Sequence, residues 1–270
     1  MNIIERQMLD FLKELKDQNI SGVKISFEDE GLTMELAQII TNITMRADVP
    51  VAVKIGGAEA RCDMHNAKVL GASSVVAPMI ETPYALKKFV EAKNSIFQKD
   101  EGYDVKFIVN IETISGYKNL FEMMNQNEAK EIDAITLGRV DFSGSVGKDR
   151  SYCNSPEMLT IAQNIADIAR VNNKKFCLGG AISGEAIEFM RKLPKDVFGC
   201  FETRNIIFDA QKSLQSKDIN KALTSAMGFE LAWMQRKREF YGKISNAEAA
   251  RIEMISKRYA AQQEILLKTK

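Results

Sequence analysis

Two stretches of the chain place a single carboxylate at the point where an apolar run gives out. In VKFIVNIETISGYKNL the run ends on Glu112, and in IDAITLGRVDFSGSVG it passes into Gly and Ser around Asp141. Two acids with no histidine and no paired cysteine beside them suit a hard octahedral cation, Mg²⁺ or Mn²⁺, better than zinc. Such an ion keeps positions open for substrate oxygens and stabilises a developing enolate as a Lewis acid. The backbone N–H groups of Gly138, Arg139, Val140 and Asp141 then have a use, holding a substrate carboxylate or phosphate. The competing reading is that each acid only caps the helix that follows, which needs no metal.

For the two acids to meet, their strands must open on one face. Residues 2–18 place Ile4, Met8, Phe11, Leu12 and Leu15 at helical spacing. Seven short apolar runs follow, SGVKISFEDEG, VPVAVKIGG, SSVVAPMI, VKFIVNIET, DAITLG, KFCLGGA and VFGCFETR. Between them the pattern predicts helices near 33–46, 61–70, 82–97, 116–126, 156–171 and 183–192. Strands alternating with helices imply a parallel sheet, because parallel neighbours need crossovers. The fold expected is an α/β (β/α)8 TIM barrel over residues 1–215. Its first strand is irregular or missing, since none is evident before residue 20, and an open doubly wound sheet is the alternative.

Residues 216–270 read as C-terminal helices over 217–241 and 246–268, the second opened by a Ser245 cap and Glu248. The apolar stripe of Ile252, Ile255, Tyr259 and Leu266 packs either on its own barrel or on a neighbouring subunit. In a TIM barrel the carboxyl ends of the strands hold the active site. Here those ends carry Glu28, Asp29, Lys54, Pro78, Glu81, Glu112, Asp141, Gly179, Gly180, Glu202 and Arg204.

Composition narrows the partners. The 37 basic and 36 acidic residues nearly cancel, leaving no global field to attract nucleic acid or an anionic membrane. QRKREFYGK and KRYAAQQ interleave basic and aromatic residues, but at helical spacing they read as solvated helix faces. Cys62, Cys153, Cys177 and Cys200 form no C-x-x-C and read as isolated thiols in a reducing compartment. The N-terminus carries acids within its apolar pattern, unlike a secretory leader, and no run reaches the length of a membrane span; a cytoplasmic location is expected. His65 reads as a surface or packing residue on a helix.

The motifs also resemble a known family. VNIET followed by LGRVDFSGSVG is similar to the paired motifs of the citrate lyase β-subunit and HpcH/HpaI-type 2-oxo-acid aldolase family, where I-E-T and G-P-A-D-L-S-x-S-L-G supply metal ligands. KISFEDEG is similar to its D-L-E-D strand end, VAVKIGG to V-R-V-N-G, VVAPMIET to its P-K-V-E or P-M-V-x-T strand, and FGCFETRNIIFDA to its last strand, together about residues 20–215. The resemblance implies a phosphoenolpyruvate/pyruvate-type barrel with Mg²⁺ on Glu112 and Asp141. It also implies enolate chemistry on a 2-oxo acid or acyl thioester, and a homo-oligomer that exchanges C-terminal helices.

Lys54 stands where the family has an arginine on the enolate oxygen and carboxylate, and a lysine does not offer the same planar fork. Lys54 is therefore the expected substrate contact, with Arg61 or Arg139 as substitutes, and Glu28 or Asp29 is expected to move the proton. Ser26 replaces the first Asp of the citrate-lyase strand, and the histidine of the aldolase branch has no counterpart, the chain's one histidine being His65. The function expected is a divalent-metal-dependent carbon–carbon lyase or aldolase. The alternatives are a transferase using phosphoenolpyruvate, since KFIVNIE is similar to a pyruvate-kinase strand, and a non-catalytic metabolite-binding subunit.

Overall fold

All seven apolar runs form strands. In order these are β1 (Ile20–Ser26), β2 (Val51–Lys54), β3 (Ser74–Ala77), β4 (Lys106–Ile111), β5 (Ala134–Gly138), β6 (Lys175–Gly179) and β7 (Phe198–Glu202), each parallel to the next. The computed structural model describes residues 1–28, 30–98, 100 and 104–268, so the expected site residue Asp29 lies outside the described residues.

The helices are α1 (Ile3–Lys16), α2 (Met34–Ala47), α3 (Arg61–Val69), α4 (Pro83–Ile96), α5 (Ile114–Met124), α6 (Arg139–Ser145), α7 (Pro156–Val171), α8 (Ile187–Arg191), α9 (Ala210–Gln215) and α10 (Ile219–Lys268). Several start at a short hydroxyl side chain. Thr33, Thr82, Thr113 and Ser155 each accept a hydrogen bond from the N–H three residues on, satisfying a donor the first turn leaves free. Val, Ile, Leu and Phe side chains such as Val23, Val53, Val75, Val109, Ile135 and Phe201 are fully buried in the core.

No first strand is missing. An eighth strand, β8 (Ile206–Asp209), follows β7 through the turn Thr203–Asn205 and runs antiparallel to both β7 and β1, closing the barrel. A hairpin needs no crossover helix, so four residues beside a turn suffice, and a run of that length shows no periodicity in the sequence. The turn bonds to itself: Thr203 N–H donates to the Ile206 carbonyl, and Ile206 N–H to Thr203 Oγ1. At the functional face, seven strand ends are therefore joined by this turn, with Arg204 and Asn205 in it.

The C-terminal segment is one helix, not two. α10 has 50 residues, a length of about 75 Å at 1.5 Å per residue. Ser245 does not open a new helix, because Ala247, Glu248, Ala249, Ala250 and Arg251 are strong helix formers and no proline interrupts them. Its first half packs on α1 and the barrel, burying Leu223, Ala226, Phe229 and Trp233. Glu30, whose side chain is almost wholly buried, anchors it there by accepting from Trp233 Nε1 (2.9 Å), Lys237 Nζ (2.6 Å) and Asn205 Nδ2 (2.8 Å).

The cysteines also differ from the expectation. Cys177 and Cys200 sit side by side in the register of β6 and β7 and form a disulfide, a juxtaposition that 23 residues of separation conceal in the sequence. Cys153 is buried and free, and Cys62 is exposed. Among the described residues no helix is long and apolar enough to cross a membrane.

Candidate functional site

The carboxyl ends of the parallel strands surround a cavity of about 550 Å³. Its lining includes Lys24, Ser26, Lys54, Asn110, Glu112, Gly138, Val140, Asp141, Glu202 and the loop from Gly179 to Ser183. A smaller cleft of about 200 Å³, between Met190, Phe198 and Leu214, has no acid in its lining.

The helix-capping reading of the two acids fails. Thr113, not Glu112, caps α5, and α6 has no side-chain cap although Asp141 lies in its first turn. Both carboxylates are free to face the cavity. Glu112 is 4 % exposed and accepts from the Met79 N–H at 3.3 Å. Burial pushes its carboxyl above the usual carboxylate range and the Asp141 charge adds to the rise, while Lys54 and hydrogen bonds from Asn110 and Met79 oppose it. That is the electrostatic state of an acid pair whose charge a cation would balance.

The shape of the site comes from two glycines. Ile111 pairs with Leu137, Gly138 with Gly179, and Gly179 with Glu202. One level across β4 to β7 therefore reads Glu112, Gly138, Gly179, Glu202. A Cβ on Gly138 would lie 2.7 Å from Glu112 Oε2, and one on Gly179 would lie 3.0 Å from Glu202 Oε1. The two glutamates thus lean towards each other over a bare pair of glycines, with strands about 4.8 Å apart. Glu202 is charge-paired with Lys24, which reaches it from β1 across the hairpin strand β8.

Of the residues the sequence singled out, Lys54, Glu112, Gly138, Val140 and Asp141 line one cavity. Others do not. Glu28 is exposed and does not line the cavity; past Ser26 the strand has ended, and its inward alternation no longer carries to residue 28. The inward acid at that exit is Glu30, consumed by α10. Arg61 is exposed on α3 and donates to Ser95 Oγ at 3.0 Å.

Arg139 is fully buried outside the cavity. It donates to the carbonyls of Gly179 (3.4 Å), Gly180 and Cys153 (3.0 Å) and to Asn154 Oδ1 (2.7 Å), and stacks on Phe189. Two residues of helix rotate a side chain by about 200°, so α6 turns Arg139 away from the face that carries Asp141. Burial lowers its pKa to about 10, which leaves it charged at neutral pH. Its side chain ties the end of β6 to α6. His65 is exposed.

The sequence reading missed Lys24, Asn110 and Arg150 in the lining and named Ser26 only as a replacement for an acid. Lys24, Ser26 and Asn110 had a signal: each is a polar residue within an apolar strand, two residues from another inward position. Arg150 had none, because it enters from the 3-10 turn Arg150–Asn154. Ser26 Oγ and Asn110 Oδ1 are buried with no hydrogen-bond partner among the described residues. Among those residues no cluster of three or more His, Cys, Asp or Glu is placed to hold a metal.

A family model described as HpcH/HpaI aldolase/citrate lyase matches residues 33–180, just over half of the chain. No curated protein matches it in sequence. Among solved structures, the chain is similar to the citrate synthase SbnG at 15 % identity and a TM-score of 0.58, over 86 % of this chain and 90 % of that one. It is similar to an HpcH/HpaI aldolase/citrate lyase family protein from Burkholderia cenocepacia J2315 at 15 % identity and a TM-score of 0.59, over 81 % and 90 %. Macrophomate synthase aligns at 16 % identity and a TM-score of 0.56, over 86 % and 82 %. At these identities the likenesses speak for the fold.

Proposed function

Because the chain belongs to the HpcH/HpaI aldolase/citrate lyase family, we propose that it is a divalent-metal-dependent carbon–carbon lyase acting on a 2-oxo acid or an acyl thioester. The observation that carries this reading is the convergence of Glu112 and Asp141 on one cavity, with burial and mutual repulsion opposing the charge on Glu112. Two carboxylates with no histidine or thiolate among the described residues of the lining fit Mg²⁺ or Mn²⁺, which takes the rest of its shell from water and substrate oxygens. Bound there, the ion supplies Lewis-acid polarisation of the substrate carbonyl and stabilises the charge of an enolate.

The chain's own groups do the rest. Lys54, close enough to lower the charge cost at Glu112, contributes positive charge beside the developing oxyanion. The backbone around Gly138, Val140 and Asp141 faces the same space and orients a substrate carboxylate. The bare Gly138–Gly179 pair leaves room for the reacting carbons between the two glutamates. A cavity of about 550 Å³ suits a small molecule or one end of a thioester.

The same reading includes a homo-oligomer. α10 carries a heptad-spaced row of exposed apolar side chains, Met227, Leu231, Met234, Tyr241, Ile252, Ile255 and Tyr259, which fits a helical seam between copies. Product analysis tests the activity: pyruvate with a panel of aldehydes, 4-hydroxy-2-oxo acids, hydroxyacyl thioesters and phosphoenolpyruvate are each incubated with Mg²⁺ or with EDTA. Mg²⁺-dependent cleavage or condensation is expected, whereas phosphoryl transfer or no turnover at all would contradict the reading.

A further inference from the structure

Among the described residues five acids line the cavity, Glu30, Glu112, Asp141, Glu202 and Glu230. Glu112 and Asp141 are the candidate metal ligands. Glu30 is held by Trp233, Lys237 and Asn205, and Glu230 accepts from the Asn205 N–H at 3.1 Å. Glu202 alone stands at a strand end inside the barrel with one partner, Lys24. It lies on the same level as Glu112, facing it across the glycine pair.

A buried ion pair is weak evidence for stability, because desolvation offsets most of the attraction, so structure alone does not explain placing one in the mouth of the barrel. Around it the lining is polar and incompletely bonded. Ser26 follows Lys24 by two residues on β1, and its Oγ, like Asn110 Oδ1, is buried without a partner among the described residues. A ligand seated between Glu112 and Glu202 would find a cation-binding acid pair at one end and, at the other, a carboxylate held by lysine beside these two orphaned groups.

We infer that Glu202 is the proton-transferring carboxylate of the site, with Lys24 its positioning partner. The inference rests on the lyase reading above and takes the place of the expected Glu28. In the cleavage direction Glu202 removes the proton from the hydroxyl on the carbon β to the polarised carbonyl. The O–H electron pair becomes the C=O of the released aldehyde or ketone, the α–β carbon bond breaks, and its electrons pass into the carbonyl to give the enolate. The proton now on Glu202 is delivered to the α carbon, which restores the carboxylate and yields the 2-oxo acid or acyl thioester. No oxidant or further reactant is needed. Lys24 holds Glu202 over Gly179.

The test follows solvent deuterium entering the methyl group of pyruvate, and of acetyl-CoA, by proton NMR, using the full chain with Mn²⁺. Glu202→Gln is expected to slow exchange by roughly 10²- to 10⁴-fold, the usual share of a general acid–base group. Mn²⁺ affinity by calorimetry should stay within about twofold of wild type. Since Glu202→Gln leaves Lys24 unpaired, the double variant K24M/E202Q is assayed beside it and should be equally slow. Formate should restore part of the exchange in Glu202→Ala, a recovery that a merely structural role would not produce. Wild-type exchange undiminished in the folded single and double variants overturns the assignment and leaves the lyase reading standing. A wild type that exchanges neither probe and cleaves no substrate of the panel removes both.

Discussion

Adding one methyl group at Gly138 should disable the metal site without touching either acid. The Cβ of Gly138→Ala would lie 2.7 Å from Glu112 Oε2, 3.2 Å from its Cγ and 3.3 Å from its Cδ. Non-bonded heavy atoms rest at about 3.5 Å or more, so the carboxylate must retreat by about 0.8 Å. The backbone does not object, since φ −91° and ψ 91° at Gly138 suit alanine. Nor does a swing of the carboxylate alone suffice, because the Cγ and Cδ are also too close. A binding constellation tolerates about 0.5 Å, and displacing a group that orients a metal ligand costs roughly 10- to 100-fold in affinity. That is about 1.4–2.7 kcal/mol. Gly179→Ala is the matched control: its methyl meets Glu202 Oε1 at 3.0 Å and Cγ at 3.4 Å, so it should impair turnover and leave Mn²⁺ affinity within about twofold. Calorimetric titration of Mn²⁺ into the three proteins decides the matter. Wild-type affinity in Gly138→Ala, or equal losses in both variants, would refute the placement of Glu112 over Gly138.

Glu112 also sets a pH dependence. Its folded carboxyl titrates above its unfolded value, chiefly through burial, so as pH rises past that unfolded value, about 4.3, the native state holds a proton the unfolded chain has lost, and stability falls. In EDTA, Glu112→Gln should therefore melt higher than wild type at pH 7.5 and no higher at pH 4; scanning calorimetry showing a lower melting temperature at pH 7.5 would contradict this. With metal at 100 times its Kd, wild type should gain about 2.7 kcal/mol, and neither Glu112→Gln nor Asp141→Asn should match it. For Lys54, Lys54→Arg should keep EDTA-sensitive turnover, and borohydride with pyruvate should leave no adduct on Lys54; a covalent adduct formed in EDTA would replace the metal route with an imine. For α10, light scattering at tens of micromolar should give an oligomer that Ile252→Glu with Ile255→Glu breaks into smaller species, and a monomeric wild type would remove that part of the account.

Much of the scaffold was legible because each parallel strand is a short apolar run bounded by Gly, Pro or an acid, and each long crossover helix buries one stripe. Glu112, Asp141 and Lys54 could be placed together because strand ends of a parallel barrel share a face. The failures have distinct physical origins. β8 was invisible because a four-residue strand in a hairpin carries no period of its own. The Arg139 side chain lies outside the cavity because adjacency to Asp141 in the chain becomes opposition on a helix. Glu28 lies outside the lining because β1 stops at Ser26, and the loop, not the pleat, directs it. Glu202 was named as a strand end, but its place on the level of Glu112 was not legible, because it depends on the register of β4 to β7 and on the missing side chains of Gly138 and Gly179, which admit two glutamates to one level of the barrel.

Anomalous diffraction from crystals grown with Mn²⁺ and soaked in oxalate, a mimic of the pyruvate enolate, decides whether Glu112 and Asp141 hold a divalent cation in the cavity. One manganese peak within reach of both carboxylates is expected, with oxalate beside it on the side of Lys54 and the Gly138–Gly179 pair. Manganese bound elsewhere, or oxalate seated in this cavity with no metal between it and Glu112, would contradict it.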